Sequence, residues 1–206
     1  MNNWGSSGIV SAVIVIGFLI SAVVVASVIT GETQGITTEQ SPEEVTNQVL
    51  DEITTYLQIK DQVGKFYSTY GEKKIEKIAL LIKPLIAQDI DITGLTIKLS
   101  NGYDVKILNY SGKAELIGKN SLFEHNIWNE IDYDSYGFVV TVDKDRSLVD
   151  YNVINSDMAY VVIKLDQNFA IQQRGFLTVT LFPSSGIART TTLEAPLAIT
   201  PVVTFE

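Results

Sequence analysis

The first thirty-one residues, Met1 to Gly31, contain no Asp, Glu, Lys or Arg. Their centre, Gly8 to Thr30, reads GIVSAVIVIGFLISAVVVASVIT. As an α-helix rising about 1.5 Å per residue this stretch is about 35 Å long, more than the roughly 30 Å hydrocarbon core of a bilayer. Val, Ile and Thr are mediocre helix formers in water. In lipid or in a dry bundle, however, a single segment must satisfy its own backbone, and helix is the only way to do so. A helix that is apolar all round is buried all round. The stretch therefore belongs in lipid, in the core of an assembly, or in each at different times. It is not a secretory signal peptide, which carries a basic n-region and a shorter apolar run. Ser7 and Ser11, Gly17 and Ser21, and Ala22 and Ala26 stand four apart. Such pairs share a helix face, and small side chains there let neighbouring helices approach closely.

Composition limits what the remainder can do. The formal net charge is −9, the pI is near 4.6, and no basic stretch offsets it. Such a surface repels nucleic acid. No Lys or Arg precedes Lys60, whereas Glu32, Glu39, Glu43, Glu44, Asp51 and Glu52 do. An acidic flank after an apolar helix suits the outer side of a membrane, since positive charge marks the cytoplasmic flank. The absence of Cys excludes disulfides, thiolate metal sites and thiol nucleophiles.

Beyond the helix, the polar Gly31–Gln40, with Gly31 and Gly35, reads as a joint. Ser41-Pro42-Glu43-Glu44 is a helix-start signal: a cap, a proline for the first turn and an acid that closes a capping box. Val45, Val49, Ile53 and Leu57 then recur every four residues, which predicts a short amphipathic helix over about 42–55. From Tyr56 the period falls to two. Strands are expected over Tyr56–Ser68, Lys74–Lys83, Leu95–Leu99, Tyr103–Leu108, Tyr136–Asp143, Met158–Leu165, Gly175–Phe182 and Ile199–Phe205, with an Asn101-Gly102 hairpin between the third and fourth. The fold class is thus α+β: a long N-terminal hydrophobic α-helix followed by an antiparallel, Ig-like β-sandwich. Residues 1–55 hold the helix, joint and short amphipathic helix, and residues 56–206 form the sandwich.

Candidate chemistry is sparse. Asn109-Tyr110-Ser111 is the single N-glycosylation sequon. Asp132, Asp134, Gly137 and Asp143 mimic part of a Ca²⁺ loop, but Tyr136–Val142 reads as a strand. Asp143, Asp145 and Asp150 form a second acidic stretch. Both are read as charged loop edges, with no metal assigned. His125 is the one histidine, so neither a zinc site nor a Ser-His-Asp triad has the groups it needs; it is read as a loop residue. Tyr103, Tyr110, Tyr133, Tyr136 and Tyr151 are read as packing residues. No catalytic residue and no cofactor is assigned, and an enzyme is the least favoured class.

One apolar N-terminal helix feeding a β-sandwich resembles the archaellins, the filament subunits of the archaeal flagellum. Lys74–Thr93, KIEKIALLIKPLIAQDIDIT, resembles the archaellin pattern of a strand ending in a proline (Pro84) and an Asp-Ile pair (Asp91-Ile92) opening the next strand. Leu57–Tyr67 is similar to the family's first strand, and Arg189–Pro201, with Pro196, is similar more loosely. The resemblance implies a subunit that waits in the membrane and is extracted by the archaellum assembly machinery. It then polymerises with copies of itself into an extracellular filament for swimming motility. The helices would form a parallel central bundle, nested at Ser7, Ser11, Gly17, Ser21, Ala22 and Ala26, with the sandwiches as an outer shell. It also favours an N-glycan on Asn109. Precursors of this family carry a basic leader cut after a glycine. Met1–Gly5 has no basic residue, so either the leader is already removed or Gly5 or Gly8 is the cut site. No Glu precedes Glu32, which matches archaellins better than bacterial pilins. The alternatives are an adhesive pilin-like subunit and a membrane-anchored β-sandwich protein of the cell envelope.

Overall fold

All eight expected strands form, joined by four more. The computed structural model describes residues 56–69, 72–184, 186–198 and 200–205. The predicted apolar helix, the joint and the helix over 42–55 lie outside the described residues. In chain order the strands are β1 (Leu57–Thr69), β2 (Glu72–Pro84), β3 (Ile90–Asp91), β4 (Thr96–Ser100), β5 (Val105–Leu116), β6 (Ser135–Val142), β7 (Val153–Ile154), β8 (Met158–Lys164), β9 (Ile171–Gln172), β10 (Phe176–Phe182), β11 (Arg189–Glu194) and β12 (Val202–Thr204). Two one-turn helices, α1 (Ile127–Glu130) and α2 (Ser147–Tyr151), interrupt the loops around β6. Among the described residues no helix is long and apolar enough to cross a membrane.

The main sheet runs β11-β10-β4-β5-β6-β8-β2-β1-β12, with β9 added on β2; β3 and β7 form a separate pair. It curls round one core. Ile75, Ile78, Leu80 and Ile82 of β2 face Ile97, Leu99 and Leu108 of β4 and β5 and Leu177, Val179 and Leu181 of β10 within a single buried cluster. The curl brings β11 back toward β1, where the Thr191 hydroxyl donates to Gln62 Oε1 at 2.8 Å. The turn in the sheet is made by β5. Its first residues pair antiparallel with β4 (Leu108 opposite Ile97), and its later ones pair with β6. Gly112, in the irregular stretch between Tyr110 and Ala114, has a φ of +75°, a left-handed conformation that glycine adopts without the Cβ penalty. The expected hairpin also forms. The Asn101 side chain accepts the N–H groups of Tyr103 and Asp104 at 2.9 and 2.7 Å, so Tyr103 lies in the turn rather than in the strand.

The sheet departs from the antiparallel expectation at one place: β5 and β6 are parallel, Asn109 opposite Ser135 and Leu116 opposite Val140. Parallel neighbours need a crossover of a dozen or more residues, and the chain from Ile117 to Asp134 supplies it. That crossover covers the outer face of the sheet. Phe123, Ile127, Trp128 and Ile131 pack on Ala79, Val139 and Val162 as a second buried cluster. The central strands β2, β6 and β8 are thus buried on both faces, which explains runs such as IALLI and FVV in place of strict alternation.

Candidate functional site

The segment between the end of β6 and the start of β8 brings three carboxylates together. After Val142 the chain turns through Asp143 and Asp145 into α2, pairs briefly as β7, and re-enters the sheet at Met158. The turn brings Asp143, Asp145 and Asp157 together, with one oxygen from each within 4.8 Å of the others. Asp157 is buried, and its Oδ2 accepts the Ser147 hydroxyl and the Asn155 N–H, each at 3.2 Å. Asp145 accepts the Asn155 side-chain amide at 3.1 Å and the Ser147 N–H at 3.1 Å. Asp143 Oδ2 accepts the Val149 N–H at 3.1 Å, while its buried Oδ1 meets no donor. Asp150 stays apart, forked by the Arg146 guanidinium at 2.9 Å. Asp150 belongs to the same acidic stretch as Asp143 and Asp145, but the residue brought against those two is Asp157, because β7 folds back, and only the chain path reveals it. The three carboxylates have the donor chemistry for a hard cation such as Ca²⁺. A cleft of about 450 Å³ opens beside them, lined by Lys83, Lys144, Asp145, Asn155, Ser156 and Asp157 among others.

The carboxyls of the trio are driven in opposite directions. The side-chain hydrogen bonds from Asn155 and Ser147 hold Asp145 down to about 2, against an ordinary 3.8. Burial pushes Asp157 up. A lowered carboxyl contributes stability above its unfolded value that is lost as pH falls through the folded one. Asp145 should therefore cost stability between pH 3.8 and about 2. Asp157 has the opposite sign, its ionisation weakening the fold as pH rises through and above the usual carboxylate range. In chelator at pH 7, where burial opposes the Asp157 charge, Asp157→Asn is expected to raise the denaturant midpoint. The gain should vanish in acid, where the wild-type carboxyl is protonated. Repeating the comparison in millimolar calcium reads cation binding, which would reverse the order.

The other sequence candidates separate. Asp132 and Asp134 lie at the opposite end of β6 from Asp143, so no Ca²⁺ loop exists there. Asp134 instead joins Asp166 on Lys106, at 2.8 and 2.7 Å. Burial opposes the charge on Lys106, and the two hydrogen-bonded carboxylates outweigh it and raise its pKa. Asn109 is exposed on β5, its N–H bonded to the Asp134 carbonyl at 3.2 Å, while the Ser111 hydroxyl of the same sequon is buried without a partner. His125 is 8% exposed, next to α1. Its Nε2 lies 3.0 Å from the Leu116 carbonyl and its Nδ1 accepts the Ile127 N–H at 3.2 Å. The ring is a structural pin for the crossover. Tyr110 and Tyr136 pack with Phe138 at 5.3–5.7 Å, and burial lifts the Tyr110 hydroxyl, bonded to Asn152, to about 12. Tyr103, Tyr133 and Tyr151 are exposed rather than packed.

With this geometry in hand, four likenesses bear on the chain. Flagellin B3 of Methanocaldococcus jannaschii is 26% identical over 200 residues, spanning 93% of this chain and 90% of that relative. The crystal structure of archaeal flagellin FlaB1 from the same organism superposes with a TM-score of 0.63 at 25% identity, covering 72% of this chain and 95% of the other. The archaeal flagellum of Methanospirillum hungatei strain JF1 shares the fold at a TM-score of 0.52 and 15% identity, over 97% and 99% of the two chains. The family model for archaeal-type flagellin matches residues 5–193: the chain belongs to the archaeal-type flagellins.

Proposed function

We propose that this flagellin polymerises through Gly8–Thr30, with Ser7, Ser11, Gly17, Ser21, Ala22 and Ala26 setting how closely the helices nest. As a member of its family it is a structural subunit of the archaellum filament, and the family match over residues 5–193 carries that conclusion. A rod stable in lipid and equally stable against its own copies can move from membrane to bundle at little net cost. Gly31 and Gly35 let the outer domain adjust to its neighbours. That domain, an Ig-like sandwich in the broad sense, faces the medium. The membrane holds the chain before assembly, and the archaellum machinery extracts it. Asn109 carries an N-glycan, attached before β5 closes over Ser111. An open polymer follows when the contact between copies is heterologous and does not close.

The test is to shear cells, pellet the released material and examine it by negative-stain electron microscopy and intact-mass measurement. Thin filaments made mainly of this chain are expected, with a mass that reports leader cleavage and modification at Asn109. Deletion of the chain should abolish swimming. Loss of surface attachment with swimming intact would favour the adhesive role. Retention of the whole chain in the membrane fraction would overturn polymerisation.

A further inference from the structure

The outer face of the sheet carries a row of like charge. Lys65 on β1 stands opposite Lys77 on β2, and Lys77 stands opposite Lys164 on β8. Three lysines thus lie in register across three neighbouring strands, in a chain whose net charge is −9. Like charges directly opposite one another destabilise a sheet. Among the described residues none of the three is joined to a carboxylate within ion-pair distance. Glu76, at the bulge beside Lys77, and Asp132, acting on Lys164, are the acids that bear on the row. The Lys77 ammonium is held between two rings, 4.9 Å from Trp128 and 5.4 Å from Tyr67, and Lys164 donates to the Ile131 carbonyl at 2.9 Å. The row is therefore positioned rather than splayed into solvent. Burial lowers the pKa of both Lys77 and Lys164, so both would gain from an anion.

The matching anion lies on the same molecule at the other end of the same strands. Lys164 closes β8, and Asp157 immediately precedes its first residue. The seven steps between them span about 23 Å of strand. At that far end stand Asp143, Asp145 and Asp157, with Asp89 held to the cluster through Asn155 at 3.5 Å. The cleft beside them is walled by Asp145 and Asp157 and also by Lys83 and Lys144. One end of the sheet thus presents three lysines, and the opposite end presents four carboxylates that outnumber Lys83 and Lys144 beside them.

Resting on the filament-subunit reading above, we propose that the Lys65–Lys77–Lys164 row of one copy docks on the acidic end, Asp89 to Asp157, of the next. The charges are complementary and the two surfaces differ. The contact is head-to-tail and repeats without closing, as an open polymer requires. It would align outer domains along the filament, independently of the helices at its centre.

The test uses the full chain in cells that build filaments from it alone, comparing wild type with Lys65→Glu, Asp89→Lys and the two combined. Neither residue is buried in the fold. Each single reversal should lower the mass of sheared filament, or the salt concentration at which filaments come apart, by about fivefold or more, and the combination should return it to within about twofold. The charge-removing pair Lys65→Gln and Asp89→Asn should act in the same direction, more weakly, and guards against a reversal that misfolds the domain. Wild-type behaviour of both single variants overturns the contact. So does a defect in Lys65→Glu alone, which would assign the row to an anion outside the chain, or a combination no better than its parts. A wild-type chain that forms no filaments would instead overturn the subunit reading.

Discussion

Trp128→Ala is expected to destabilise the outer domain by about 3–5 kcal/mol, the range for a large aromatic removed from a core. Trp128 is 2% exposed. Its ring stacks on Phe123 at 5.8 Å and covers Ala79, Val139 and Val162, while its indole N–H donates to the Leu122 carbonyl at 2.8 Å. Truncation opens a cavity, bares three apolar side chains of the central strands, orphans a carbonyl and releases the Lys77 ammonium from one of its two rings. Denaturant midpoints of the detergent-solubilised full chain measure the loss. Trp128→Phe should recover the apolar part and leave a deficit of about 1–2 kcal/mol from the missing N–H donor. A loss below about 1 kcal/mol for the alanine variant would mean that the crossover contributes little to stability.

Gly64→Val should cost about 1–3 kcal/mol through overpacking. Gly64 lies mid-strand in β1, between Val203 of β12 and Ile78 of β2. A Cβ there would stand 2.9 Å from Ile75 Cγ2 and 2.9 Å from two carbons of the Phe205 ring. Glycine is usually a weakness in a strand; here it makes room for a ring. Ile75 and Phe205 must both give for valine to fit, and β12 moves with the ring. Pairing Gly64→Val with Phe205→Ala should therefore cost less than the sum of the two, because the ring removed by one change makes space for the other. Strict additivity would show that the clash is relieved elsewhere.

The strands were legible because alternation is a backbone property: eight runs were expected and eight form, down to the Asn101 turn. What escaped was long-range. β11 has only Leu193 fully buried, with three threonines before it, so no apolar period marks it. The crossover's buried residues, Phe123, Ile127, Trp128 and Ile131, follow no single period, which hid both the lid and the parallel pairing it makes necessary. Asp157 joins Asp143 only through a turn around α2 and β7, and no spacing announces that. The lysine row was invisible for the same reason, since Lys65, Lys77 and Lys164 are neighbours in register alone.

The pairing of β1 with β12 has a consequence for biosynthesis. The first strand of the outer domain is covered by a strand far along the chain: Val63, Gly64 and Lys65 pair with Thr204, Val203 and Val202, and the Phe205 ring closes over the glycine. Contacts so distant along the chain form late. An outer domain in which β12 has not yet emerged, or has been lost, shows a bare β1 edge of the sort that recruits other strands indiscriminately. Closure of that adhesive edge therefore waits until Val202–Thr204 have been made and have paired with β1. A domain whose sheet has closed is thereby distinguished from an open one without any separate inspector.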